Sequence, residues 1–137
     1  MRFEGRIRKD GKFWLAEIPA FDAVTQGRTK REAFEMAEDL IETMADTQGF
    51  NVRAFPLSGG AFEIEANSIG TLVALLLRRQ RERHGLTLSE AAERLGQRSR
   101  NAYARYEQGK VMPSVEKLEQ LLKAVAPDQR IVWRIAA

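Results

Sequence analysis

At 137 residues, with 44% apolar and 30% charged side chains, the chain has room for one compact domain or two small ones and is composed like an ordinary soluble globular protein. The lack of cysteine excludes a disulfide scaffold, a thiol nucleophile and a thiolate metal site. The formal charge of +3 hides a split: residues 1–70 carry 9 Lys/Arg against 12 Asp/Glu, whereas residues 71–137 carry 13 against 7, which suits the second half to a polyanion. Arginine dominates that half, favouring bidentate contact to phosphates and guanines. No apolar run follows the basic start, and the densest apolar stretch, Ile69 to Leu77, is too short to cross a bilayer. A cytoplasmic protein with no membrane partner is expected.

Phe3 to Arg8 alternates in polarity, Lys9-Asp10-Gly11-Lys12 has hairpin-turn chemistry, and Phe13 to Ile18 reads as the returning strand, ended by Pro19. Phe21 to Gly27 reads as loop or a short edge strand. Thr29 with Glu32 forms a capping-box pattern, and behind it Ala33, Phe34, Ala37, Leu40, Ile41 and Met44 recur at helical spacing. That helix should end near Ala45 to Asp46. Val52 to Pro56 and Ala61 to Ala66 complete a β-β-(β)-α-β-β order over residues 1–66. Glu17 and Asp22, with Asp39 or Glu42, could be imagined as a nuclease metal set. The helix acids Glu35, Glu38, Asp39 and Glu42 read more simply as a solvated face, so no enzyme, cofactor or metal is expected.

In the second half, Asn67 or Ser68 caps a helix running to about His84, stopped by Gly85. Thr87 with Glu90 opens a second helix that Gly96 ends. After Gln97-Arg98, Ser99 caps a third, which Gly109 closes, and Pro113-Ser114 starts a fourth with Val115, Leu118, Leu121, Leu122 and Val125 inward. Tyr103 and Tyr106 should face the core, and Glu107 reads as a structural carboxylate. His84 is most simply a helix-end residue.

The run Gly85-Leu86-Thr87-Leu88-Ser89-Glu90-Ala91-Ala92-Glu93-Arg94-Leu95-Gly96, then Tyr106-Glu107-Gln108-Gly109-Lys110 and Pro113-Ser114, resembles the Cro/C1-type repressor domain. Two features depart from that pattern: a turn one residue longer, through Gln97-Arg98, and Gln80 at a first-helix position that is usually apolar. The resemblance implies an all-α helix-turn-helix domain over residues 68–126, whose third helix enters the major groove of operator duplex DNA. Arg98, Arg100, Asn101 and Ala104 would then face bases, since Arg can grip guanine and Asn adenine, with Gln97, Ser99, Arg105 and Lys110 on phosphates. A single domain of this kind covers one half-site, so a homodimer or higher homo-oligomer is expected. Residues 127–137 form a tail in which Ile131-Val132-Trp133-Arg134-Ile135 is apolar and β-prone, suited to a short strand that assists association.

Phe13-Trp14-Leu15-Ala16-Glu17-Ile18-Pro19, Thr25-Gln26-Gly27-Arg28-Thr29 and Glu32-Ala33 resemble the HicB antitoxins of toxin–antitoxin pairs, although the usual Pro-Gly after the second strand is Pro19-Ala20 here. The resemblance implies an α+β chain whose first domain has a partial, non-catalytic ribonuclease-H-like fold. That domain would bind and neutralise a HicA-type, mRNA-cleaving toxin, while the second represses their operon. Trp14, Phe21, Asp22 and Gln26 are the candidate toxin-facing residues. Their plainer reading is sheet core for Trp14 and ordinary loop for the others. The alternative to an antitoxin is a stand-alone regulator with a ligand-sensing or oligomerising first domain.

Overall fold

The computed structural model describes residues 1–137 and divides them into two compact units, Met1–Leu76 and Leu77–Ala137. The first unit holds β1 (Phe3–Asp10), β2 (Phe13–Ile18), β3 (Ala23–Gly27), α1 (Lys30–Ala45), β4 (Val52–Pro56) and β5 (Ala61–Ala66). The helix α2 (Ile69–Arg83) runs across the division, and α3 (Leu88–Arg94), α4 (Arg100–Glu107) and α5 (Val115–Val125) belong to the second unit. The fold is α+β. No helix is long and apolar enough to cross a membrane.

The sheet is antiparallel throughout, in the order β3-β2-β1-β5-β4. The first hairpin is tighter than its sequence suggests. Asp10 pairs with Phe13, leaving a two-residue turn in which Gly11 takes φ 61°, the handedness that matches the twist of the flanking strands. The segment expected as loop or edge strand is a full strand, β3, entered through a 3₁₀ turn at Pro19–Phe21. Phe21 closes that turn fully buried, its ring edge-on to Phe3 at 5.0 Å.

One face of α1 lies on the sheet through Ala33, Ala37 and Ile41, and Phe34 packs edge-on to Phe62. The close approach depends on Gly27, where a Cβ would sit 2.4 Å from the Ala33 backbone nitrogen. Thr29 caps α1 by accepting the Glu32 N–H at 3.0 Å, which is half of the anticipated box. Two helix acids read as solvated have a structural use instead. Glu42 and Glu38 accept the N–H groups of Val52 and Ala54, both at 2.8 Å, and so cover the outer edge of β4. Glu42 is thereby taken out of the imagined metal set, and Glu17 pairs with Arg8 at 3.7 Å.

Ser68 caps α2, accepting the Thr71 N–H at 3.2 Å, while Asn67 ties down the turn at Gly49 and Asn51. In the second unit, Leu77, Leu86, Ala91, Ala92, Tyr103, Leu118, Leu121, Leu122 and Val125 form the core. Beyond α5 the expected strand is absent. Residues 131–137 form no regular structure, and Val132, Trp133 and Ile135 are exposed. A strand needs a neighbour to satisfy its backbone, and residues 131–137 pair with no strand.

Candidate nucleic-acid interface

The pair α3–α4 is set by its ends. Thr87 and Glu90 close a reciprocal capping box, with the Glu90 N–H donating to Thr87 Oγ1 at 3.1 Å and the Thr87 N–H to Glu90 Oε1 at 3.2 Å. At the other end, the Gly96 N–H reaches the Glu93 carbonyl and the Gln97 N–H the Ala92 carbonyl, both at 2.9 Å. This double closure needs a left-handed residue at position 96, and Gly96 has φ 70°. The same pattern ends α2 at Gly85 and α4 at Gly109, so three consecutive helices stop by one device. A Cβ at Gly96 would meet nothing, so only backbone strain opposes a side chain there. Gly96→Ala is therefore expected to lower stability by about 1–2 kcal/mol, measured by urea denaturation.

The Ser99 hydroxyl then accepts the Asn101 N–H at 3.2 Å and starts α4. The inward face of α4 is fixed by Tyr103, Ala104 and Glu107. Arg81, near the end of α2, donates through Nε and Nη2 to the two carboxylate oxygens of Glu107 at 2.7 and 2.9 Å, and through Nη1 to the Leu86 carbonyl at 2.7 Å. Both side chains are largely buried, at 13% and 6% exposure. The hydrogen bond with Glu107 holds the Arg81 guanidinium above its ordinary pKa. Burial, followed by the charge of Glu107, pushes the Tyr103 phenol well above its usual range. Its oxygen has no partner at ordinary bonding distance, and the nearby carboxylate acts on it through charge and a weaker hydrogen-bonding pull.

With that face inward, the sequence-predicted DNA residues separate. Arg98, Ser99, Arg100, Asn101, Arg105 and Lys110 are exposed, and Gln97 is half-buried with its side-chain oxygen enclosed. Ala104 is buried at 5% exposure, which corrects its assignment to a base contact. It lies one residue from Tyr103, inside the arc that packs against the unit's core. Tyr106, expected in the core, is only half-buried, with Lys117 Nζ 6.0 Å from its ring centroid. The outward stripe is instead Asn101 and Arg105, one helical turn apart, with exposed Ala102 beside them. Ala102 was missed, although the inward period set by Tyr103 and Glu107 would have placed it outside.

Electrostatics distinguishes these cations from the arginines of α2. Arg78 and Arg79 lie 3.9 and 3.2 Å from Glu82, and Arg81 is held by Glu107. Arg98, Arg100, Arg105 and Lys110 have no ion-pair partner within the chain. Unneutralised cations around a short helix are what a phosphate backbone requires.

The toxin-facing candidates also separate. Phe21 is core and cannot serve, whereas Asp22 and Gln26 are exposed at the ends of β3. Trp14 is half-buried opposite Gly27, with the ammonium groups of Lys30 and Lys9 at 5.6 and 5.9 Å from its ring.

A family model described as a helix-turn-helix domain matches residues 72–130. No curated protein matches the chain. The second half of the chain thus carries a helix-turn-helix DNA-binding domain.

Proposed function

We propose that this chain is a HicB-type antitoxin that acts in the cytoplasm. Its first unit binds and neutralises a HicA-type, mRNA-cleaving toxin, and its Cro/C1-like second unit represses their shared operon by gripping operator duplex. The observation that carries this reading is the opposition of charge between the two compact units. Residues 1–76 hold 9 Lys/Arg and 12 Asp/Glu, and residues 77–137 hold 13 and 7. An acidic unit suits a basic, RNA-gripping partner, because complementary potentials speed encounter and disfavour wrong partners. The first unit works by binding alone, with no cofactor, and its sheet stands as the degenerate ribonuclease-H-like fold of that family. With Phe21 in the core, Trp14, Asp22 and Gln26 remain as toxin-facing residues.

The test is capture of the small basic product of the adjacent gene by the full-length chain, followed by a footprint of the complex on the upstream DNA. Trp14→Ala is expected to weaken capture by about tenfold or more, the scale of a buried aromatic anchor at an interface. Failure of the intact chain to capture that product or protect RNA from it would sink the antitoxin reading. A stand-alone regulator whose first unit assembles copies is the second reading, and it draws on the uncovered outer edge of β3.

Operator reading requires at least two copies, and the exposed tail residues Val132, Trp133 and Ile135 offer one apolar contact between them. Deletion of residues 129–137 is expected to lower the association state in analytical ultracentrifugation. An unchanged sedimentation profile across concentrations would remove the tail from that role.

A further inference from the structure

The two edges of the five-stranded sheet are treated differently. The two-residue hairpin at Gly11–Lys12 makes Asp10–Phe13 a hydrogen-bonded pair, so Phe13, Leu15 and Glu17 bond towards β1. Trp14, Ala16 and Ile18 then bond towards β3, at Gly27, Thr25 and Ala23. The backbone groups of Val24 and Gln26 are left pointing away from the sheet. The same phase carried to the far edge turns Val52 and Ala54 outward, and there α1 supplies Glu42 and Glu38 to accept both N–H groups. No side chain does this at β3. The strand is Ala-Val-Thr-Gln-Gly, with none of the charged or proline residues that ordinarily discourage pairing at an edge.

We propose that β3 pairs antiparallel with β3 of a second copy about a two-fold axis through Thr25. In this register Val24 faces Gln26 of the second copy and exchanges both backbone hydrogen bonds with it, and the symmetric pair does the same. All four outward N–H and C=O positions are thereby used. Thr25 meets Thr25 of the second copy in the closer, non-hydrogen-bonded position, where paired threonines are favourable. Just outside the strand, exposed Asp22 comes opposite exposed Arg28 of the second copy, so each end of the contact joins opposite charges. An isologous surface must be complementary to itself, and this segment is so in hydrogen bonding and in charge. The pairing does not depend on the antitoxin reading. It uses only the backbone of Gln26, whose side chain stays exposed, and leaves Trp14 untouched, so of the toxin-facing residues only the Asp22 carboxylate is shared between the two contacts.

The chain contains no cysteine, so a single introduced thiol reports the axis without interference. Full-length Thr25→Cys, alone and without DNA or toxin, is expected to oxidise in air mostly to a disulfide-linked dimer. The separation of directly opposed residues at such a position falls in the range a disulfide spans. Ser58→Cys, in the β4–β5 turn, should give at least tenfold less. Adding Gln26→Pro removes two of the four bonds and should cut the Thr25→Cys dimer at least tenfold, with the thermal melt confirming an intact fold. Arg28→Glu, a surface change that sets like charges opposite each other, should also reduce it, with recovery at high salt. A Thr25→Cys yield no greater than that of Ser58→Cys, or one untouched by both second changes, would overturn the pairing. The first result would arise if the edge were occupied by the tail of another copy or by a different protein. Either failure leaves the antitoxin reading intact, because no toxin is present.

Discussion

Glu107→Ala is expected to destabilise the helix-turn-helix unit by about 3–5 kcal/mol, read as a drop in its urea midpoint at constant slope. The magnitude follows from what is left behind. Arg81 donates to both carboxylate oxygens and to the Leu86 carbonyl, with little of either side chain exposed to water. Without Glu107 the guanidinium stays enclosed with one neutral acceptor. The pair also joins the end of α2 to the end of α4, so its loss should loosen the angle at which α4 is presented and weaken DNA binding with stability. Glu107→Gln keeps an acceptor and should cost less. Tyr103→Phe is the contrasting change, because it deletes a buried hydroxyl that has no hydrogen-bond partner. Removing such a group is close to neutral or slightly stabilising, so a cost above about 1 kcal/mol would show that Tyr103 and Glu107 act as one polar unit. If Glu107→Ala shifted the midpoint no more than Tyr103→Phe, the pair would not be what locks α4 in place.

What the sequence made legible was local. Thr87 with Glu90, Ser99, Ser114 and the glycines at 85, 96 and 109 act within a turn of where they stand, and each caps the helix it was read to cap. What it concealed depends on distant chain. Glu38 and Glu42 look like a solvated helix face until β4 arrives beside them. Phe21 sits in a loop-like stretch, yet a 3₁₀ turn rolls it beneath Phe3. At α4 the difficulty was phase. An eight-residue helix has scarcely two turns from which to read a period, and the long turn before it obscured the start. Tyr103 was rightly placed inside, but Ala104 follows it into the core, and the outward stripe falls on Asn101, Ala102 and Arg105.

That phase makes the DNA prediction sharper than the sequence allowed. Asn101→Ala and Arg105→Ala are each expected to cost about 1–3 kcal/mol on the operator and much less on random duplex, because both residues share the exposed stripe and have base-reading chemistry. Arg98→Ala and Lys110→Ala flank the helix and should weaken both duplexes alike. Each should also reduce the slope of log affinity against log salt by about 0.9, one phosphate contact. Arg100, exposed at the first position of α4 but on the side of the helix that turns inward below it, belongs with the flanking group. The comparison rests on Arg105, which its sequence position alone assigned to phosphate. If Arg105→Ala weakens operator and random DNA equally and lowers the salt slope, the helix meets the duplex with its N-terminal turn only, and base reading contracts to Asn101. If its loss is confined to the operator, α4 lies along the groove for at least one full turn. Ala102, between the two, then abuts the bases, and a larger side chain there should abolish operator binding while leaving the salt-dependent grip on random duplex in place.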